Sequence, residues 1–88
     1  GDLQIRFTRH AFDKFNGKMT KIYNITYMKI IDWLKKDRFM PKRRKRIERM
    51  VDHIRSVFIE YEDKVFKGRA QRQIITMYID FTVTPEAI

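Results

Sequence analysis

His10 and His53 are the chain's two histidines, the side chains whose unperturbed titration falls nearest neutral pH. His10 is the better placed for chemistry. Thr8 is a fitting N-cap for a helix that begins just after it, which puts His10 in the first turn, where free backbone N–H groups favour phosphate. Arg6 and Arg9 flank it in sequence and add positive charge for the same anion. An imidazole beside a bound phosphodiester can take the proton of a 2′-hydroxyl or return one to a leaving 5′-oxygen. The competing reading is a polar helix-start histidine with no chemistry. His53 lies between Asp52 and Ile54 in an amphipathic segment and reads as a structural or surface residue.

A second group of polar side chains sits near the C-terminus. There Thr76, Tyr78 and Asp80 alternate with Ile75, Met77, Ile79 and Phe81, the period of a strand with one polar face. A tyrosine on such a face can stack on a base or bond a phosphate oxygen. An ordinary solvent-facing strand would also choose Thr and Tyr, which are good strand formers. Arg55, Arg69 and Arg72 are available as guanidinium forks for a charged phosphorane, and sequence alone does not choose among them.

Charge points to the same class of partner. The 88 residues carry 20 Lys and Arg against 11 Asp and Glu, a net charge of +9. The window from Lys35 to Arg49 accounts for +7 of this, through Lys35, Lys36, Arg38, Lys42, Arg43, Arg44, Lys45, Arg46 and Arg49. Such a cluster favours a polyanion: nucleic acid first, with an anionic membrane surface as the weaker alternative. It carries no information on base sequence. With no cysteine, disulfides and thiolate zinc sites are excluded. Three glycines do not make a phosphate-cradling loop, and no His/Asp/Glu group has metal-ligand spacing, so neither cofactor nor metal is expected. No apolar run approaches the roughly 20 residues that cross a bilayer.

The elements that must position these residues follow from periodicity. Leu3, Ile5 and Phe7 alternate with polar residues and predict a strand. Ala11, Phe12 and Phe15 predict a short helix ended by Asn16-Gly17. After a polar connection from Lys18 to Tyr23, Asn24 or Thr26 caps a second helix. Its apolar face is Tyr27, Ile30, Ile31 and Leu34, and it stops near Asp37. Pro41 opens a third helix running from about residue 42 to about residue 55. A strand follows from about residue 56 to residue 61, with a helix continuing to Tyr61 as the alternative. Val65-Phe66 forms a short strand before a Lys67-Gly68-Arg69 turn. The last strand runs from about residue 72 to residue 83, with Ile74 on the same face as Thr76 and Tyr78. The expected fold is a single α+β domain over residues 1–88, with two to three helices packed on one face of a small, mostly antiparallel sheet.

The run Ile5-Arg6-Phe7-Thr8-Arg9-His10-Ala11-Phe12-Asp13-Lys14 and the closing Ile75-Thr76-Met77-Tyr78 resemble a group of small phage- and toxin-associated domains. These open with a strand running into a Thr/Ser-Arg-His-Ala helix, and they are similar to the barnase–EndoU–colicin–RelE group of metal-independent RNases. The resemblance covers most of the chain in order of elements, through short motifs. It implies a metal-independent endoribonuclease, with His10 as the leading catalytic residue and Thr76 and Tyr78 on the sheet floor. The family often has Arg four residues after the histidine; Lys14 stands there in this chain, keeping the charge and losing the fork. It also implies RNA rather than DNA as substrate, an acidic immunity or antitoxin protein as partner, and a cytoplasmic site of action. The other reading of the same residues is a basic nucleic-acid-binding protein without catalysis, in which Lys42, Arg43, Arg44, Lys45, Arg46 and Arg49 are the functional element.

Overall fold

The computed structural model describes residues 3–41 and 43–81. The elements come in the order β1 (Gln4–Phe7), α1 (Arg9–Lys14), a π-helical turn (Phe15–Met19), α2 (Tyr27–Lys36), β2 (Arg44–Met50), β3 (Arg55–Phe66) and β4 (Arg69–Phe81). Four strands form one sheet in the order β1-β4-β3-β2. The fold is α+β as expected, but the sheet is mixed: β1 runs parallel to β4, while β4, β3 and β2 are antiparallel neighbours. Both helices lie in the crossover from β1 to the opposite edge at β2, and the chain then returns by hairpins.

Alternation sorts the side chains. Ile47, Val57, Ile59, Tyr61, Ile74 and Met77 are buried on one sheet face. Ala11, Phe15, Met19, Ile25, Ile30, Trp33 and Leu34 from the helical layer cover them. The opposite face carries no helix among the described residues. No helix among those residues is long and apolar enough to cross a membrane.

The predicted third helix does not exist. Residues 44–50 are the edge strand β2, paired from Arg44↔Glu62 to Met50↔Ser56. Pro41 forms an isolated parallel bridge with Asp63 rather than a helix start. After β2 the chain reverses on Asp52. Its Oδ1 accepts from the backbone N–H of Ile54 and of Arg55, both at 2.9 Å, and its Oδ2 accepts from Arg55 Nε at 2.9 Å. The Arg55 side-chain bond first, then the Ile54 N–H, hold the Asp52 carboxyl below its usual range. His53 is exposed in this bend. The residues left open between strand and helix, 56–61, are strand.

Three boundaries also move. Val65-Phe66 is the end of one long β3 rather than a separate strand. β4 begins at Arg69; its predicted reach to Val83 lies outside the described residues, as does Lys42. The Lys67-Gly68 turn has φ of 51° and 77°, the left-handed pair that matches the twist of a tight hairpin. The first helix does not end at Asn16-Gly17 but passes into the π-helical turn, which places both Phe15 and Met19 in the core.

Strand β4 carries one irregularity. Glu60 pairs with Thr76, yet Tyr61 pairs with Ile74, so Ile75 is an extra residue opposite no partner. The bulge turns Ile74 into the core beside Met77, not outward with Thr76 as strict alternation predicts.

Below the bulge, Arg72 is wholly buried. Its guanidinium bonds Asp63 through Nε (2.6 Å) and Nη2 (2.8 Å), and donates to the carbonyls of Leu34, Asp37 (3.2 Å) and Arg38 (3.2 Å). It lies 4.4 Å from the centroid of the Tyr61 ring. One side chain thus closes the C-terminal end of α2, whose last carbonyls lack helical partners. Burial is the largest single influence and works against the charge, but the hydrogen bonds to Asp63 together with the electrostatic pull of Tyr61, Asp63 and Asp37 exceed it and hold the guanidinium protonated more firmly than usual. Removing either partner would leave an uncompensated buried charge, a loss of about 3–5 kcal/mol.

Candidate active site

Thr8 ties the start of α1 to the β4 bulge. Its backbone N–H donates to Ile74 O (3.0 Å) and its hydroxyl donates to Ile75 O (3.1 Å). The same hydroxyl oxygen accepts from Ala11 N at 3.1 Å, which is the helix cap expected from sequence. With the helix start fixed there, His10 Nε2 lies 3.1 Å from Thr76 Oγ1. The two halves predicted 66 residues apart therefore meet at the edge of the open face. Either group can donate, according to the imidazole tautomer.

Strand register extends the site across the sheet. Thr76 is opposite Glu60, and Glu60 is opposite Arg46, so Arg46, Glu60 and Thr76 form one row that ends at His10. The adjacent row is Glu48, Phe58 and Tyr78. Arg46 links the two rows: its Nη1 donates to the Tyr78 hydroxyl at 3.3 Å. Directly opposed side chains in such rows have Cβ atoms about 5 Å apart. The set brings together an imidazole, a carboxylate, a guanidinium and two hydroxyls, all half-buried or exposed. A carboxylate and an imidazole beside a fixed cation can move protons in opposite directions at a phosphodiester.

The remaining sequence candidates divide. Lys14 is half-buried one helical turn after His10, and no hydrogen bond or ion pair joins it to the site among the described residues. Arg6 is exposed on β1 and, by its register with Gln73, belongs to the open side. Arg9 points to Asp13 at 3.5 Å, with both side chains mostly in solvent. The basic window is not one face. Arg44 and Arg46 alternate onto the open side, with Arg44 Nη1 3.9 Å from Glu60 Oε1. Lys45 and Arg49 belong to the helix side, where Arg49 pairs with Asp37 at 2.8 Å. Arg43 is exposed just ahead of β2. Arg55 is held by Asp52 at 2.7 Å and lies over the Tyr23 ring, away from the open face. Arg72, expected to contact nucleic acid, is withdrawn from any surface by its ion pair with Asp63.

Two members of the site escape sequence reasoning, Glu60 and Phe58. Both are visible in retrospect as the alternates of Val57, Ile59 and Tyr61. The competing helical pattern over the same residues hides them. On the open face Arg6, Arg44, Arg46 and Lys64 stand against Glu48, Glu60, Glu62 and Asp80, so the face is mixed in charge rather than uniformly basic. Among the described residues no group of three or more His, Asp or Glu side chains is gathered for a metal ion. No protein-family model matches the chain, and neither a curated protein nor a solved structure matches it.

Proposed function

We propose that the protein is a metal-independent endoribonuclease of the toxin-like kind its sequence resembles, acting on the open sheet face. The observation that carries this reading is the 3.1 Å approach of His10 to Thr76 at the end of the Arg46–Glu60–Thr76 row. Glu60 takes the proton of a ribose 2′-hydroxyl, and that oxygen attacks the adjacent phosphorus. The bond to the 5′-oxygen breaks, and His10 in its protonated form supplies the proton to that leaving oxygen. The product is a 2′,3′-cyclic phosphate and a 5′-hydroxyl, with no net change in protons. Thr76 orients the imidazole. Arg46 faces the negative phosphorane, with Lys14 as a more distant positive charge. Arg6, Arg43 and Arg44 hold the flanking phosphates. Under this reading the substrate is cytoplasmic RNA, and an acidic immunity or antitoxin protein is the natural partner for the exposed cations.

A mixed-charge face supports catalysis over simple docking, because a pure phosphate-binding surface gains nothing from carboxylates. The exposed Arg43 and Arg44 at the β2 edge support the second reading, binding without cleavage. The experiment that separates them incubates total RNA in EDTA with wild type, His10→Ala and Glu60→Gln. Cutting by wild type, reduced about 100-fold or more in both variants, is expected for general acid and base groups. Salt-sensitive binding by all three without cutting would replace the RNase reading with the binding one.

A further inference from the structure

The Phe58 and Tyr78 rings lie side by side on the open face, with centroids 5.1 Å apart and planes 8° from parallel. The Arg46 guanidinium carbon sits 5.1 Å from the Phe58 centroid and reaches on to the Tyr78 hydroxyl. Phe58 is therefore flanked by Tyr78 and Arg46. Among the described residues no other ring or cation stacks on Tyr78. On the β1 side, strand pairing with β4 stops at Ile74, four residues before Tyr78. Thr76, two residues away on the same face, carries the contact to His10.

Aromatic pairs in a sheet are commonly structural, but they gain most when buried. This pair is half-buried on a face with no helical cover among the described residues. Its rings are backed on the Phe58 side by a cation, and among the described residues no ring or cation covers the Tyr78 side. That is the arrangement by which single strands are held: a flat π surface beside a phosphate-binding charge. Bases inside a duplex are stacked on each other and cannot use it.

We propose that Phe58, Tyr78 and Arg46 form a stacking platform for an unpaired RNA base next to the scissile phosphate, so that the preferred substrate is single-stranded. This rests on the RNase reading for its choice of RNA. Phe58 is the rigid backing, Tyr78 the contact surface, and Arg46 the link to the neighbouring phosphate.

The test uses the full chain and short fluorescein-labelled oligonucleotides with 2′-O-methyl sugars, which bind but have no 2′-hydroxyl to attack. The probes are a single strand, the same strand with abasic positions, a duplex, and the DNA counterpart. Wild type should bind the single strand more tightly than the duplex or the abasic strand. Tyr78→Thr, a substitution that keeps a strand-forming residue and a hydroxyl, should weaken binding by about 5- to 150-fold. Tyr78→Phe should bind within about twofold of wild type, since the π surface remains. Both variants should bind the abasic strand as wild type does. Equal affinity of wild type and Tyr78→Thr for the single strand would overturn the platform, as would a preference for duplex, even if wild type cleaves RNA. Tighter binding of DNA would overturn the assignment to RNA. A base-dependent loss in Tyr78→Thr from a protein that cuts nothing would sink the RNase reading and leave the platform standing.

Discussion

Two charged or polar side chains below the site show how far residue type can mislead about role. Arg72 looks in sequence like one more phosphate contact among 20 Lys and Arg residues. Its burial depends on Asp63, nine residues back, and on the end of α2, more than thirty residues back. No local pattern encodes either. Tyr61 belongs to the same group: buried, facing Arg72, with its hydroxyl donating to Asp37 Oδ2 at 3.2 Å. Burial pushes its pKa up from 10.0 to about 12, opposed by the Arg72 charge and reinforced by Asp37. A raised acid pKa means that the native state holds the proton more tightly than the unfolded chain does. The stabilisation is thus complete below pH 10 and is lost as pH rises towards about 12. In denaturant titrations, the stability difference between wild type and Tyr61→Phe should stay constant below pH 10 and shrink above it. A difference that does not change across that window would show that the phenol titrates alike in both states.

At the level of elements, local signals are strongest where a cap and a periodic face agree. Thr8, Thr26 and the Tyr27–Leu34 stripe place both helix starts, and the turn at Gly68 places the hairpin. The region 42–55 reads as a helix because Ile47, Met50, Val51 and Ile54 fall at the spacing of a helix face. In the folded chain Ile47 is buried but Met50 is exposed. Pairing with β3 decides the conformation, a long-range effect that overrides propensity. The bulge at Ile75 is equally invisible to alternation, though its carbonyl is the one that accepts from the Thr8 hydroxyl. Thr8 is the joint between these parts, since one hydroxyl serves both the cap and the bulge carbonyl. Thr8→Val removes both bonds at nearly constant volume. It should cost about 1 kcal/mol in unfolding free energy. It should also lower RNA cleavage more than RNA binding, because His10 loses its register with Thr76. Unchanged cleavage at that stability loss would show that the α1 start does not position the imidazole.

Across the whole molecule, the net charge of +9 attracts polyanions from a distance without marking where chemistry happens. Composition supports the proposed polyanion partner. The location is not legible, because an edge strand sends successive cations to opposite faces and the folded surface mixes them with carboxylates. The proposed kinship with RNase domains, read from the opening and closing motifs, singles out His10, Thr76 and Tyr78. The fold brings His10 beside Thr76, sets Tyr78 in the next row, and adds Glu60, Arg46 and Phe58 by strand register alone. The most direct test of in-line attack by a 2′-hydroxyl is the chemistry of the ends left on RNA cut by wild-type protein in EDTA. Mass spectrometry of a defined single-stranded substrate should find 2′,3′-cyclic phosphate on one fragment and 5′-hydroxyl on the other. Fragments ending in 3′-hydroxyl and 5′-phosphate, or a substrate left whole, would contradict the assignment of His10 and Glu60 as acid and base.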